Sequence, residues 1–168
     1  MIDPKTSAWL DQDDTHIAQL IRKHEWMIEN VGFGGCSCCE DGGEVEAIPF
    51  SYTVGLFGLG HPELLIFSSP VPTAMAVLND LGARVKSGDN LVAGQLLTFD
   101  DWPHRIVAEE VPNPGAIVFG ANRHYRRPTE ASVPVLQLTY DDKRGRFPWD
   151  EGYANAPHIQ PRPGTFHA

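Results

Sequence analysis

All three cysteines of the chain fall in the glycine-flanked segment GGCSCCEDGG. Cys36 and Cys39 have the spacing of paired zinc ligands, and Cys38 would add a third, with the fourth ligand coming from elsewhere in the chain. The same spacing matches a redox C-x-x-C motif, but the acidic pair that follows opposes the lowered thiol pKa that redox chemistry needs. A surface loop that carries thiols is the third interpretation. The zinc hypothesis thus rests on half of the usual ligand signature.

A second chemical candidate is the segment Gly60-His61-Pro62-Glu63. A histidine in a loop beside a strand end can act as a general base, and a nearby carboxylate can orient its ring. This pattern supports a hydrolase-like enzyme in which His61 is the base and Glu63 orients it. The structural alternative is that both side chains bind backbone groups and shape a tight turn.

Other polar and aromatic residues are candidates for a ligand pocket beside this turn. Thr53 is the freer polar group of the preceding strand, because neighbouring strand residues point to opposite faces. Gln137 interrupts an apolar strand, and a buried amide needs partners, so it either ties down the C-terminal tail or contacts a ligand. Trp149, in the FPW segment, either packs against the core and so holds the tail in place, or forms a wall of the pocket.

Charged residues suggest two further sites. Arg123 and Arg126 belong to the basic segment NRHYRRP, which could hold a phosphate or carboxylate or could simply favour a helix C-terminus. A second metal site could take its ligands from Asp100, Asp101, His104 and His61, although the spacing of these residues does not require such a site.

Strands and helices that would position these residues follow from apolar spacing. Ile17, Leu20 and Ile21 predict a helix over 14–29, capped near Asp13 and Asp14, after a loose start over 1–12. The clearest helix is SPVPTAMAVLNDLGARVKSG, with Gly88 as its stop. We expect a hairpin of strands at 50–56 and 64–69, strands near 92–98, 104–111 and 133–141, a weaker helix over 115–125, and a loop-rich tail over 142–168.

The overall composition is that of an ordinary globular domain. Apolar residues make up 42% of the 168 residues and charged residues 21%, with a net charge of -9. Nucleic acids and anionic membranes need a basic surface, so neither is expected as a partner. The chain shows no signal-peptide pattern and no apolar run long enough to span a bilayer, which predicts a soluble, cytoplasmic protein.

Two segments, FSYTVGLFGLGHPELLIF and VPVLQLTYDDKRGRFPWDEGY, together resemble the bacterial domain-of-unknown-function family 4262. The resemblance covers roughly residues 17–161. Two departures are the cysteine-bearing insertion and the His24-Glu25-Trp26 triplet, where relatives often have glycine before tryptophan. The resemblance implies one compact domain without an activity to carry over, and it places the cysteines outside the shared site.

These observations predict a single α+β domain over 1–168. We expect a largely antiparallel sheet with two principal helices packed on one face. The leading function is a small-ligand-binding or regulatory domain, with a pocket near the G-H-P-E turn that accepts a small molecule, including one with an anionic group. The hydrolase-like enzyme and the zinc-stabilised interaction module are the alternatives.

Overall fold

The structure is a computed structural model that describes residues 2–33 and 47–168. Its α-helices are α1 (Pro4–His24), α2 (Val71–Lys86) and α3 (Phe119–His124). Its strands are β1 (Met27–Val31), β2 (Phe50–Val54), β3 (Glu63–Phe67), β4 (Leu96–Leu97), β5 (Ile106–Glu110) and β6 (Val135–Tyr140). Short 3-10 helices cover Leu56–Leu59, Pro114–Ala116 and Thr129–Ala131.

The strands form one sheet in the spatial order β1-β2-β3-β6-β5-β4. The pair β3 and β6 is parallel, and the other neighbours are antiparallel. The predicted α+β fold with a largely antiparallel sheet is therefore confirmed. The hairpin is confirmed as well, since Phe50 lies opposite Phe67 and Tyr52 opposite Leu65.

Helix α1 begins at Pro4 rather than near residue 14, so the expected loose start is wrong. The Asp3 side chain caps the helix by accepting the backbone N–H groups of Lys5 and Thr6 at 2.8 and 3.4 Å. The helix ends at His24 and is capped by Glu25, whose φ of 75° is left-handed. Residues that we expected to continue the helix instead form strand β1, because they pair along β2.

Helix α2 follows its apolar pattern closely. Pro70 precedes it, Pro72 lies in its first turn, and Ser87 caps its C-terminus. Its buried side chains face strands β3, β5 and β6 in one apolar cluster. The predicted strand near 92–98 shortens to β4, and the predicted helix over 115–125 divides into a 3-10 turn and α3.

The two principal helices lie on opposite faces of the sheet, which corrects the expectation of one face. Leu64 and Ile66 of β3 pack under α2, whereas Leu65 and Phe67 point to the other face. That second face is covered by Ile17 of α1, by α3 and by the C-terminal tail. Successive side chains of β3 point to opposite faces of the sheet, and every residue of the strand is buried. The strand therefore contributes to an apolar core on each face.

Among residues 2–33 and 47–168, no helix has the length and apolarity needed to cross a membrane.

Candidate functional site

The Glu63 carboxylate is the best-satisfied buried group of the predicted site. It accepts a hydrogen bond from the Thr53 hydroxyl at 2.6 Å and from the backbone N–H groups of Gly55, Leu56 and Phe57 at 2.8, 3.2 and 3.1 Å. The Thr53 hydroxyl also accepts the N–H of Leu64 at 2.9 Å. Glu63 thus fastens the start of the Leu56–Leu59 3-10 turn to strand β3.

Local backbone geometry explains how this turn reaches the carboxylate. Gly55 has a φ of +133°, and a Cβ built there would lie 2.4 Å from the backbone oxygen of Glu25. Only glycine fits both the conformation and the close approach. Burial raises the pKa of the Glu63 carboxyl above its usual range, and the hydrogen bonds from Thr53 and the three backbone donors lower it part of the way.

His61 is buried and contacts backbone groups through both ring nitrogens. Nδ1 lies 2.7 Å from the oxygen of Pro62, and Nε2 accepts the N–H of Leu91 at 3.0 Å. These two partners fit a neutral ring that carries its hydrogen on Nδ1. The histidine therefore links the turn to the segment after α2, and each of its ring nitrogens already has a backbone partner.

Gln137 lies in β6 and binds the C-terminal tail. Its side-chain N–H group donates to the Pro161 oxygen at 2.8 Å. Gln160 completes the attachment, because its amide accepts the Tyr140 N–H at 2.9 Å and donates to the Tyr140 oxygen at 2.9 Å and the Tyr153 hydroxyl at 2.8 Å. Of the two roles considered for Gln137, the structure shows the tie to the tail.

Trp149 lies at the surface and is 47% exposed. Phe147 stacks on its ring at 4.9 Å with an interplanar angle of 4°. The Arg162 guanidinium lies 5.0 Å from the Trp149 ring centre, and Arg105 lies 5.3 Å from that of Phe147. The indole is thus part of a cation–aromatic stack that fastens the tail.

The two arginines of the predicted anion site have different surroundings. Arg123 binds Asp13 at 2.6 Å and also Asp14, so α1 neutralises its charge. Arg126 is exposed and has a φ of 53°. Asp13 and Asp14 therefore bind an arginine instead of capping α1, and the pair leaves Arg123 with little net charge for an anionic ligand.

Metal binding was predicted at two places. Cys36, Cys38 and Cys39 lie outside the described residues. Within residues 2–33 and 47–168, no cluster of three or more histidine, cysteine, aspartate or glutamate side chains has the geometry to hold a metal ion. His104, a member of the second candidate set, has its Nδ1 at 2.9 Å from the backbone oxygen of Asp141 and 3.1 Å from its carboxylate.

The structure brings Thr53 and Glu63 together, next to His61, while Gln137, Trp149 and Arg123 make other contacts and Arg126 lies exposed at the surface. A concave site occurs instead between α2 and residues 98–102. This groove of about 410 Å³ has α2 on one side and Phe99 and Trp102 on the other. It is lined by Pro72, Thr73, Ala76, Val77, Asp80, Arg84, Phe99, Asp100, Asp101 and Trp102.

The groove wall is held in shape by aromatic and charged contacts. The rings of Phe99 and Trp102 meet edge to face at 5.7 Å, and Trp102 also packs against Tyr140 at 6.0 Å. Arg84 of α2 donates to the Thr98 oxygen at 3.0 Å, which connects the two sides. The geometry provides an apolar surface with charged groups at its border, which is the usual composition of a small-molecule site.

The groove was not predicted from the sequence. The Asp-Asp-Trp segment was considered only as a source of metal ligands. Thr73, Ala76, Asp80 and Arg84 recur at intervals of three or four residues and so share one flank of α2, which was a readable signal. Their proximity to Phe99 depends on the fold.

Comparison with known proteins gives one family match. The model of the family described as "Domain of unknown function (DUF4262)" matches residues 20–154. No curated protein and no solved structure matches the chain. The match covers both segments that carried the resemblance and all six strands of the sheet. The chain therefore belongs to the DUF4262 family.

Proposed function

We propose that the domain binds a small organic molecule in the groove between α2 and residues 98–102. The observation that carries this proposal is the combination, in one concave surface, of two aromatic rings with carboxylates at the border. Its volume of about 410 Å³ lies within the range of known ligand pockets, about 300–1,000 Å³. The groove replaces the G-H-P-E turn as the location of the pocket.

The burial of the turn residues supports placing the pocket in the groove instead of at the turn. Glu63 and Thr53 have no exposed surface, and His61 is 3% exposed. Their polar atoms bind backbone groups or one another, so a ligand would have to break several internal hydrogen bonds to reach them. In contrast, Ala76, Asp100 and Asp101 are exposed. A ligand can bind beside them without that cost.

The same contacts bear on the hydrolase hypothesis. A general base needs a free nitrogen within hydrogen-bond reach of its substrate. The contacts of His61 with Pro62 and Leu91 favour a positioning role for this ring. The geometry therefore supports binding more than catalysis, and the zinc-stabilised module remains a prediction about residues outside the described part of the chain.

The test is a screen of small aromatic fragments by protein-observed NMR, followed by a blocking variant. Ala76 is exposed in the groove, so Ala76→Trp fills the groove without disturbing the core. Met75→Trp is the matched control, because Met75 lies on the other flank of the same helix. We expect fragment binding to be lost in Ala76→Trp and retained in Met75→Trp. Retention in both variants, or no binding fragment at all, would overturn the proposal.

A further inference from the structure

The groove carries an unbalanced negative charge. Its lining contains three carboxylates, from Asp80, Asp100 and Asp101, against the single guanidinium of Arg84, a net charge of -2. Arg84 is already engaged, because it binds the Asp80 carboxylate at 2.7 Å. Within the described residues, Asp100 and Asp101 neither accept a hydrogen bond nor form an ion pair, and both line the groove and are exposed to solvent.

Arg84 shows how this wall interacts with a cation. Its guanidinium binds the Asp80 carboxylate, donates to the Thr98 carbonyl at 3.0 Å and lies 5.1 Å from the centre of the Phe99 ring. A carboxylate, a carbonyl and an aromatic face together form a favourable environment for a delocalised cation. The groove thus contains an internal example of cation binding, beside the two carboxylates of Asp100 and Asp101, which have no such partner in the described part of the chain.

We propose that the groove selects small organic cations, with an amine on an aromatic or aliphatic body. This inference rests on the proposed binding function and specifies its ligand. The apolar body would lie against Val77 and Trp102, and the positive charge would face Asp100 and Asp101. An anionic ligand would meet like charge at the same place, which reverses the preference that Arg123 and Arg126 suggested from sequence.

The surroundings outside the groove reinforce the sign of this charge. The whole chain has a net charge of -9, which attracts cations to any concave acidic surface. The arginine that follows on the same segment is Arg105, and its guanidinium donates to the Asp141 carboxylate at 2.9 Å and to the Gly145 carbonyl at 2.6 Å. Arg105 is therefore directed to the tail and does not neutralise Asp100 or Asp101.

The test uses three probes with one phenyl ring and different charges: phenethylamine, 2-phenylethanol and phenylacetate. Binding is followed by the NMR signal of the Trp102 indole N–H, which is assigned with Trp102→Phe. We expect phenethylamine to bind about three- to tenfold more tightly than 2-phenylethanol, as two exposed ion pairs would provide. Phenylacetate should bind most weakly, and added salt should reduce the differences.

Matched variants locate the effect. The double variant Asp100→Asn/Asp101→Asn should bring phenethylamine to the affinity of 2-phenylethanol and leave the alcohol unchanged. Asp89→Asn removes an exposed carboxylate from the segment that follows α2, outside the groove lining, and should preserve the preference. A preference that survives the double variant, or one that Asp89→Asn abolishes, would overturn the inference.

The outcomes also separate the two proposals. Equal binding of all three probes at Trp102 would overturn cation selection and leave the groove as a binding site. Binding of none of them, together with a negative fragment screen, would overturn the binding function itself. Tighter binding of phenylacetate would contradict the charge argument directly.

Discussion

The G-H-P-E turn and the α2 groove contain similar residue types in opposite physical states. In the turn, the Glu63 carboxylate is fully buried and accepts four hydrogen bonds. In the groove, the carboxylates of Asp100 and Asp101 are exposed and have no partner in the described part of the chain. The first carboxylate stabilises the fold, and the other two are available to something outside it.

This contrast shows why residue type alone does not locate a binding site. A histidine and a carboxylate two residues apart suggest acid–base chemistry, yet their partners here are backbone groups of the same turn and of the segment after α2. A buried polar group must be satisfied, and a fully satisfied one has little capacity left for a ligand. Substitutions in the two regions should therefore differ in their effect on folding.

The largest expected effect is that of Glu63→Ala on stability. The substitution removes the acceptor of three backbone N–H groups and of the Thr53 hydroxyl in a buried site. We expect the free energy of unfolding to fall by about 3–5 kcal/mol, measured by urea denaturation.

Glu110→Ala is the control for this variant, since Glu110 is an exposed carboxylate at the end of β5. It should change the free energy of unfolding by about 0.5 kcal/mol or less. If Glu63→Ala were as stable as Glu110→Ala, the turn would not depend on this carboxylate, and a functional role for Glu63 would gain support.

A smaller loss is expected for His61→Ala. The variant leaves the Leu91 N–H without its acceptor and opens a small cavity, which should cost about 1–3 kcal/mol in urea denaturation. The exposed His158 provides the control as His158→Ala. Fragment binding in the groove should persist in His61→Ala at temperatures where it is folded. Loss of fragment binding in folded His61→Ala would show that the turn and the groove depend on each other, which contradicts our description of them as separate.

The third effect is local and depends on pH. Backbone N–H groups of Arg146, Ala154 and Arg144 donate to the Asp142 carboxylate and lower its pKa below the usual value. A lowered pKa stabilises the folded tail above the ordinary aspartate range, and this stabilisation is lost as the pH falls through the folded-state pKa. Hydrogen exchange should therefore show the tail opening earlier than the sheet on acidification.

Asp142→Asn separates this carboxylate from general acid unfolding. The amide keeps one acceptor oxygen and cannot titrate, so the acid-dependent part of the tail opening should disappear. An unchanged pH profile in Asp142→Asn would assign the opening to other groups.

The smallest effect on stability is expected in the groove. Asp100→Asn and Asp101→Asn remove exposed charges without internal partners, and each should change the free energy of unfolding by about 0.5 kcal/mol or less. Thermal unfolding checks this directly. A loss comparable to that of His61→Ala would show that these carboxylates are structural, and the contrast between the two regions would fail.

Local sequence patterns were sufficient for some elements and not for others. Helix α2 and the hairpin of β2 and β3 follow from apolar spacing, because their buried faces are continuous. Strand β1 was missed, since its residues become a strand only by pairing with β2. The start of α1 was missed because its first turns are exposed and lack apolar periodicity, although Asp3 followed by Pro4 is a typical helix start.

The candidate site also has parts that the sequence predicts and parts that depend on the fold. The tail contacts of Gln137 were among the roles that sequence reasoning considered, because a buried amide must find partners. The groove depends on the approach of Asp80 and Arg84 in α2 to Phe99, which follows β4. That approach is set by the packing of both segments on one sheet face, and neither segment encodes it alone.

The most direct test of this account is an amide chemical-shift map of the chain with the tightest-binding aromatic fragment. We predict that the perturbed residues cluster around Ala76, Arg84 and Phe99–Trp102, and that the amides of Gly55–Glu63 remain unchanged. Perturbations centred on Thr53, His61 and Glu63, with none at Trp102, would contradict the account and return the binding site to the G-H-P-E turn.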